Sequence, residues 1–317
     1  MASSGSKPFD RRGKSRVESA GMEGWILHKN ELPVYENDRL IKEGQAVGVK
    51  FTIVRPNDVD LLVTRTGRKS VRINGEETSL PDFTLPRTGS GTTYFALAVM
   101  RHLERLGVHA LNKAEPIECV KDKLFSQQVL AASNLPVPST MLVKHPVDAN
   151  LVEESIGFPV VVKTLSGSHG EGVFLAEDRM RFMDLMELIS ATAPTANIIL
   201  QEYIKATMGR DLRVIVVGGR TVGCMQRVSV DGSFKANVSR GGRAEPFEMT
   251  DQIEWLATEA SRALQLDIAG VDLLFDEDDH FRICEVNSAP QFKGMEDLEH
   301  VNVAGQIVEY IRIRLGR

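Results

Sequence analysis

The amino-terminal third of the chain alternates short apolar runs with polar turns, a pattern typical of strands. The runs are GWILH, VGVKFTIV, VDLLV and FTLPR, all between residues 24 and 87. From Thr92 to Leu106 apolar residues recur at three- and four-residue steps, which predicts a helix that ends at Gly107. The Asn74-Gly75 pair in VRINGEE predicts a hairpin turn. Strands alternating with a helix favour a small α/β domain with a parallel sheet.

The next part of the chain is predicted to hold a glycine-rich loop between two strands. CVKDKLFSQQVLAASN predicts one helix, and a short helix is expected near Asp148. The runs VVVK and VFLAE then flank the loop, and a helix is predicted from Asp178 to Ser190. The P-loop places its lysine after the glycines, and the dinucleotide fingerprint continues into a helix. Neither template fits, so the loop is predicted to join antiparallel strands.

The last part of the chain predicts a strand at IILQEYI and two hairpins. DLRVIVVGGRTVGCMQRVS turns at Gly218-Gly219, and GVDLLFDEDDHFRICEVN turns between Glu277 and His280. Helices are predicted over 251–264 and 303–313. The patterns together predict a mixed α/β (α+β) chain with a disordered tail at 1–21. Its predicted folded parts are an N-terminal α/β domain at 22–112, a central subdomain at 113–200 and a C-terminal subdomain at 201–317.

Composition narrows the function classes. The 317 residues are 42% hydrophobic and 26% charged, which is ordinary for a globular protein. The net charge of −5 gives no reason to expect a nucleic-acid partner, and no apolar run approaches the roughly 20 residues of a membrane span. The three cysteines lie far apart and predict reduced thiols in a cytoplasmic protein. The histidines show no pair at metal-ligand spacing, which argues against zinc.

The glycine-rich loop has the residue types of a phosphate site. Lys163 ends an apolar run, and Gly167, Gly170 and Gly172 follow it. Glycines let backbone N–H groups approach anionic oxygens, and the lysine adds a positive charge. A hairpin tip without a ligand explains the same pattern equally well.

The last predicted hairpin gathers oxygen ligands. Glu285 and Asn287 are two residues apart and therefore face the same side of a strand, and the turn brings Asp272 alongside them. Magnesium favours carboxylate and amide oxygens, with nucleotide phosphates completing its coordination. The alternative is a solvent-facing acidic strand pair. The apolar flanking residues favour the metal site, because carboxylates among apolar residues usually have a partner.

The chain resembles the ATP-grasp superfamily, and within it the RimK-like amino-acid ligases. The resemblance runs in order through KDKLFSQQVL, FPVVVKTLSGSHGEGV, LQEYI, GRDLRV, KANVSRGG, GVDLLF and EVNSAPQFKGME. It covers nearly everything from Met22 to the end. It implies an ATP-grasp fold that follows an N-terminal α/β pre-ATP-grasp domain, with ATP between the central and C-terminal subdomains.

The resemblance also implies roles for particular residues. The implied ATP-binding residues are Lys123, Lys163, Gly170, Gly172, Glu202, Tyr203, Asp211 and Asn237. The implied metal ligands are Asp272, Glu285 and Asn287, which would hold two Mg²⁺ ions, with Mn²⁺ as an alternative metal. Arg213 and Arg240 are the implied catalytic residues, facing the phosphates or the acyl intermediate.

The implied reaction is amide formation through an acylphosphate. A carboxylate attacks the γ-phosphate of ATP, and an amine then displaces phosphate and leaves an amide. Glutamate is the favoured amino acid, and the acceptor is a carboxylate on a protein, a peptide or a cofactor. No nucleic-acid or membrane partner is expected, and a homodimer or a homotetramer is compatible with the resemblance.

Several alternatives stay open from the sequence. They are a carrier-protein-dependent ligase of the lysine- and arginine-biosynthetic type, an ATP-binding regulatory module, and a phosphotransferase with a hydroxyl acceptor. The Ser288-Ala289-Pro290 turn and Gln291 depart from the family pattern next to the metal site, which bears on the choice of substrate. Arg87 fits either a carboxylate-binding role or a surface position, and His169 either a phosphate contact or an incidental loop position.

Overall fold

The computed structural model describes most of the chain, and the statements below concern the described residues. They are 21–29, 34–65, 70–143, 146–165, 172–230, 242–277 and 280–316. The predicted tail and the predicted site residues Gly170, Asn237 and Arg240 lie outside them, as does His169. No helix in the described ranges is long and apolar enough to cross a membrane.

The N-terminal part is built on a parallel sheet, as the alternation of strands and helix predicted. Its elements are β1 (Met22–Leu27), α1 (Tyr35–Ala46), β2 (Val49–Val54), β6 (Phe83–Pro86), α2 (Tyr94–Arg105) and β7 (His109–Ala110). The strand order is β2-β1-β6-β7, with every neighbouring pair parallel. The sequence did not predict α1, because YENDRLIKEGQA carries few apolar residues; its fully buried Leu40 packs into the core.

A small antiparallel sheet is attached to this domain. Its strands are β3 (Val59–Leu61), β4 (Val71–Ile73) and β5 (Glu76–Glu77). The predicted hairpin turn is confirmed, since Asn74 and Gly75 lie between β4 and β5 with φ of 53° and 81°. Positive φ at both central residues is what a type I′ hairpin turn requires.

The predicted single helix after residue 119 is two helices. They are α3 (Ala114–Lys121) and α4 (Lys123–Ala132), separated by Asp122 in an extended conformation. The Asp122 carboxylate accepts hydrogen bonds from the backbone N–H groups of Leu124 (2.9 Å) and Phe125 (3.0 Å). Aspartate at this position satisfies the free N–H groups of a helix start, so α4 begins at Lys123.

The central part holds a four-stranded antiparallel sheet in the order β10-β9-β11-β8. Its elements are β8 (Thr140–Val143), α5 (Ala149–Ser155), β9 (Val160–Thr164), β10 (Val173–Ala176), α6 (Arg179–Thr192) and β11 (Ile198–Glu202). The strands on either side of the glycine-rich loop are antiparallel, with Lys163 opposite Val173. That prediction is therefore confirmed.

The C-terminal part holds a five-stranded antiparallel sheet in the order β14-β13-β12-β15-β16. Its elements are β12 (Arg210–Val217), β13 (Arg220–Val228), β14 (Arg243–Pro246), α7 (Asp251–Ala263), β15 (Ile268–Phe275), β16 (Phe281–Asn287), α8 (Lys293–Glu299) and α9 (Val303–Arg314). Both predicted hairpins are present, and Gly218 and Gly219 take positive φ at the first turn. The sequence did not predict β14 or α8.

One hydrophobic core joins the two ends of the chain. It combines Ile26 and Leu40 of the N-terminal domain with Ile215, Phe292 and Ile307, all of them fully or almost fully buried. The C-terminal sheet is therefore packed on the N-terminal domain, and buried apolar area of this kind is the main stabilising contribution to such contacts.

Candidate active site

Neighbouring strands bring the predicted catalytic residue Arg213 and the predicted metal ligands together. Arg213 on β12 is paired with Asp272 on β15, and Asp272 is paired with Glu285 on β16. Asn287 follows two residues after Glu285 and is paired with Gly270. The predicted placement of Asp272 alongside Glu285 is thus confirmed.

Asp272 lies in a buried network of two carboxylates and two guanidinium groups. Arg213 binds both of its oxygens, with a distance of 2.8 Å from Nη2 to Oδ2. Arg227 Nη2 lies 3.0 Å from the same Oδ2. Arg227 also donates two hydrogen bonds, of 2.6 and 2.7 Å, to the carboxylate of Asp211. Opposite charges balance within the network, which is the condition under which charges are tolerated in a protein interior.

This network keeps Asp272 ionised. Burial raises the pKa of Asp272, but the charges and hydrogen bonds of Arg213 and Arg227 outweigh burial and lower that pKa to about 2. Burial raises the pKa of Asp211, against the opposing effect of Arg227. The two aspartates therefore differ in proton affinity although they share one arginine.

The donor set fits a hard divalent cation by type. It offers two carboxylates and one amide oxygen at adjacent positions, and Asn287 Nδ2 lies 3.3 Å from Glu285 Oε1. No group of three or more His, Cys, Asp or Glu side chains within the described ranges is arranged to hold a metal. Asp272 already accepts hydrogen bonds from two guanidinium groups, so binding a metal requires it to release at least part of Arg213.

Two lysines reach this site from other elements. Lys163, at the end of β9, donates to Gln201 Oε1 and lies 3.8 Å from Cys284 Sγ. Lys123, at the start of α4, donates to the carbonyl oxygen of Thr164 at 3.1 Å. Burial lowers the pKa of Lys123, which also feels the charges of Glu285 and Lys163. The predicted phosphate-binding lysines and Glu285 therefore lie within electrostatic reach of one another.

Gly172 occupies a position where only glycine fits. Its φ is +67°, and a Cβ atom there would collide with Thr164 Oγ1. Its carbonyl oxygen accepts a hydrogen bond of 2.9 Å from the backbone N–H of Thr164. The same threonine holds Lys123, so the base of the glycine-rich loop and one predicted phosphate-binding lysine share a contact.

The predicted nucleoside-binding residue Glu202 links the central and C-terminal sheets. Its Oε2 accepts hydrogen bonds from Ser139 N at 3.0 Å and from Arg282 Nη1 at 2.8 Å. Arg282 also donates to Asp276 at 2.6 Å. Tyr203, the next residue, is half-buried, and burial raises the pKa of its phenol.

Sequence reasoning missed several residues that contact this site, three of which lie beside the row of Arg213, Asp272 and Glu285. These three are Arg227, Gln201 and Cys284. A regular register from the predicted turn at Gly218-Gly219 would have placed Gln226 opposite Asp211, and a register shift between Ile215 and Val216 brings Arg227 there instead. Cys284 is the extra residue of a bulge that shifts the register between Asp272 and Leu273, and local sequence gives no signal for it. Burial raises the pKa of the Cys284 thiol to about 11, so it stays neutral beside Lys163.

Arg87 is buried, so the interpretation as a surface arginine is wrong. It is 8% exposed, and its Nη2 donates to the carbonyl oxygen of Pro290 at 2.9 Å. Its guanidinium carbon lies 5.6 Å from the centre of the Phe292 ring. Burial lowers the pKa of Arg87 to about 10.

Comparison with known proteins gives two family matches that together span most of the chain. Residues 22–117 match the RimK PreATP-grasp domain and residues 120–311 match the RimK-like ATP-grasp domain. A protein of Legionella pneumophila strain Corby, named probable alpha-L-glutamate ligase, is 33% identical over 279 residues, which cover 88% of this chain and 91% of that protein.

Two solved structures are similar in fold at low sequence identity. The ATP-grasp ligase PsnB complexed with minimal precursor, Mg and ADP has a TM-score of 0.70 at 18% identity, covering 93% of this chain and 98% of that one. A RimK domain ATP-grasp protein from Sphaerobacter thermophilus has a TM-score of 0.71 at 20% identity, covering 91% and 98%. At these identities the likeness shows a shared fold and nothing finer.

Proposed function

Because the chain belongs to the RimK-like ATP-grasp family and is an ATP-grasp ligase, we propose that it joins glutamate to a carboxylate-bearing acceptor in an ATP-dependent reaction. The acceptor carboxylate attacks the γ-phosphorus of ATP, which forms an acylphosphate and releases ADP. The amino group of glutamate then attacks the acyl carbon, so that an amide forms and phosphate leaves. The glutamate assignment is supported by the name of the Legionella relative.

One observation carries the proposal. Lys123 and Lys163 come from different elements of the central part, yet both reach the C-terminal sheet: the charge of Glu285 acts on Lys123, and Lys163 lies 3.8 Å from the sulfur of Cys284, the residue before Glu285. Cations beside carboxylates suit a polyphosphate bound together with a divalent metal, because the lysines neutralise phosphate charge and the carboxylates hold the metal. ATP and Mg²⁺ as ligands are further supported by the fold likeness to PsnB, which was solved with Mg and ADP.

The residues then have distinct tasks. Lys123 and Lys163 would bind phosphate oxygens, and Glu202 with Tyr203 would lie against the nucleoside. Asp272, Glu285 and Asn287 would hold Mg²⁺, which when bound neutralises charge on the phosphates and on the leaving group. The low pKa of Asp272 suits this task, because a metal ligand must be ionised at neutral pH.

Arg213 would serve as a cation that changes partner. Its guanidinium binds Asp272, and a metal on Asp272 would free that guanidinium for the phosphates or the acyl intermediate. A positive group placed where negative charge develops contributes on the order of 10²- to 10³-fold in rate.

The test is release of ADP and phosphate from Mg-ATP with each amino acid alone and with pooled peptide and cofactor acceptors, followed by product masses. We expect glutamate-dependent release and a product heavier by one glutamyl residue. Stimulation by another amino acid would retain the ligase and overturn the glutamate assignment. ADP release with a phosphorylated product and no free phosphate would favour a phosphotransferase. Nucleotide binding without turnover in any mixture would favour a regulatory module.

A further inference from the structure

The six residues that follow Asn287 are held by the N-terminal domain. Three polar side chains of that domain make hydrogen bonds to the backbone of this 288–293 segment, and each is less than a tenth exposed. They are Glu36 on α1, Arg87 after β6 and Asn112 after β7, with exposures of 4%, 8% and 1%. Three separate elements therefore converge on one short stretch of backbone.

Asn112 links the 288–293 segment to the C-terminal sheet. Its Nδ2 donates to the carbonyl oxygens of Ser288 (2.9 Å) and Ile268 (2.8 Å), and its Oδ1 accepts from the backbone N–H of Ile268 (2.9 Å). Ile268 is the first residue of β15, the strand of Asp272. A single side chain thus links the start of that strand to the residue after Asn287.

Arg87 and Glu36 hold the rest of the segment. Arg87 donates to the carbonyl oxygen of Pro290, and Glu36 Oε1 accepts from the backbone N–H groups of Phe292 (3.2 Å) and Lys293 (3.4 Å). These hydrogen bonds place Pro290 next to Gly270. A Cβ atom added at Gly270 would lie 2.6 Å from the Cβ of Pro290 and 3.4 Å from the Cδ of Arg213. The segment therefore reaches the row of Arg213, Asp272 and Glu285.

Glu285 and Asn287 lie at the end of an edge strand, β16, whose outer side is bound further back, at Ile283 by Pro136 and at Cys284 by Gln127. Among the strands of the described residues, only β15 pairs with β16, and the pairing ends at Asn287 opposite Gly270. The end of an edge strand has one set of backbone groups without a neighbouring strand and frays easily. A binding constellation works only when it is held within about 0.5 Å of its productive geometry.

Stability alone does not account for Arg87. The charge of Glu36 acts on Arg87 but does not offset the effect of burial on its pKa, and the Nε of Arg87 has no hydrogen-bond partner. Burying a cation in this way is costly, and an apolar side chain would fill the same space more favourably. The contact that requires a donor here is the one to Pro290.

We propose that Glu36, Arg87 and Asn112 are positioning residues of the ligase site, which hold the 288–293 segment and, through it, set Glu285 and Asn287 for the divalent cation. The inference rests on the proposed function. By this proposal, residues of the N-terminal domain influence metal binding at the C-terminal sheet. Loss of a group that orients a metal ligand typically lowers metal affinity about 10- to 100-fold.

The test compares Arg87→Met, which removes the donor and keeps much of the volume, with Arg87→Lys, which restores one donor. The probe is binding of a fluorescent ADP analogue titrated with Mg²⁺, alongside the Mg²⁺ dependence of ADP release. For Arg87→Met we expect the Mg²⁺ concentration at half-maximal analogue binding to rise about tenfold, with analogue affinity at saturating Mg²⁺ close to wild type. Arg87→Lys should recover most of this loss.

The matched control is Arg39→Gln. Arg39 also joins the N-terminal domain to the C-terminal part, through Glu296 (2.9 Å) and Asn302 (2.9 Å), and makes no hydrogen bond or ion pair to the 288–293 segment in the described structure. We expect a lower melting temperature without a change in the Mg²⁺ requirement. If Arg87→Met likewise lowers only the melting temperature, the positioning role is overturned.

A second pair of variants, at Glu36, tests the same proposal in case Arg87→Met does not fold. Glu36→Gln keeps the acceptor oxygen that binds Phe292 and Lys293, whereas Glu36→Leu removes it. Only Glu36→Leu should raise the Mg²⁺ requirement, and equal values for the two variants would contradict the proposal. Analogue binding is measured without turnover, so a wild-type protein that binds Mg-nucleotide but ligates nothing overturns the proposed function and leaves this comparison valid.

Discussion

Arg213 on β12 and Asp272 on β15 face each other across paired strands, and the guanidinium of Arg213 binds both oxygens of the Asp272 carboxylate. The predicted catalytic cation and a predicted metal ligand are therefore hydrogen-bond partners. A metal on Asp272 competes with Arg213, so metal binding and the release of this arginine are expected to be coupled.

Arg213→Lys tests that relationship. Lysine keeps the charge but cannot bind both carboxylate oxygens, so we expect a loss of about 1.5–3 kcal/mol in the free energy of unfolding. If the freed guanidinium acts on the phosphates, kcat should also fall on the order of 10²-fold. Urea unfolding and ADP release measure the two effects. The control is Arg220→Lys, at an exposed position on the neighbouring strand. If Arg213→Lys loses stability but keeps the wild-type kcat, Arg213 has no role in catalysis.

Glu285→Ala is expected to abolish Mg²⁺-dependent turnover and to leave the fold intact. Glu285 is half-buried and contributes an oxygen to the proposed metal site, whereas its neighbours on β16 supply the packing. The measurements are ADP release over a range of Mg²⁺ concentrations and the circular dichroism spectrum. Glu277→Ala changes an exposed carboxylate on the same hairpin and should behave as wild type. Unchanged activity in Glu285→Ala would withdraw the metal assignment.

Low pH should lower the free energy of unfolding through protonation of Asp272. Burial raises the pKa of this carboxyl, but Arg213 and Arg227 outweigh burial and bring it to about 2, below its ordinary value of 3.8. A lowered pKa in the folded state adds stability above about pH 4, and this is lost as the pH falls through 2. The contribution is on the order of 2 kcal/mol.

The measurement is urea unfolding between pH 5 and pH 2 for wild type and Asp272→Asn. The wild-type free energy of unfolding should fall more steeply, because only that protein has the carboxylate to protonate. The charge of Asp272 also contributes to raising the pKa of Asp211, so the difference between the curves reports on Asp272 together with its effect on Asp211. Parallel curves would show that the two arginines do not stabilise the ionised form of Asp272.

Gly172→Ala should disturb both the hairpin and Lys123. The added Cβ meets Thr164 Oγ1 at a φ of +67°, and the carbonyl oxygen of Thr164 holds the Lys123 ammonium. The left-handed backbone alone costs about 1–2 kcal/mol. Beyond this loss of stability, we expect weaker binding of a fluorescent ATP analogue and slower turnover.

Two further variants separate the causes. Gly219→Ala has a similar φ of +77° with no atom near the added Cβ, so it should lose stability and keep ATP affinity. Adding Thr164→Ala to Gly172→Ala relieves the collision and should recover part of the affinity. If Gly172→Ala binds the ATP analogue as tightly as wild type does, the contact between the loop base and Lys123 does not contribute to ATP binding.

The sequence by itself determined the elements whose signals are local. Turn residues such as Asn74-Gly75 and Gly218-Gly219 prefer positive φ wherever they stand, so the hairpins were predictable. Period-two alternation placed Glu285 and Asn287 on one side of a strand, and the acidic turn predicted Asp272 on the neighbouring strand, whereas the bulge at Cys284 set Asp272 directly opposite Glu285. The ordered motifs then predicted the family, which the matches to both RimK domains confirm.

Only the tertiary structure decided which partners these residues have. Arg213 and Arg227 neutralise Asp272 because three strands align their side chains inside one sheet, and strand register depends on packing over the whole sheet. Arg87 meets Pro290 across 203 residues of chain. Contacts between positions so far apart are set by how domains pack, and they cannot be predicted from periodicity or from turn residues.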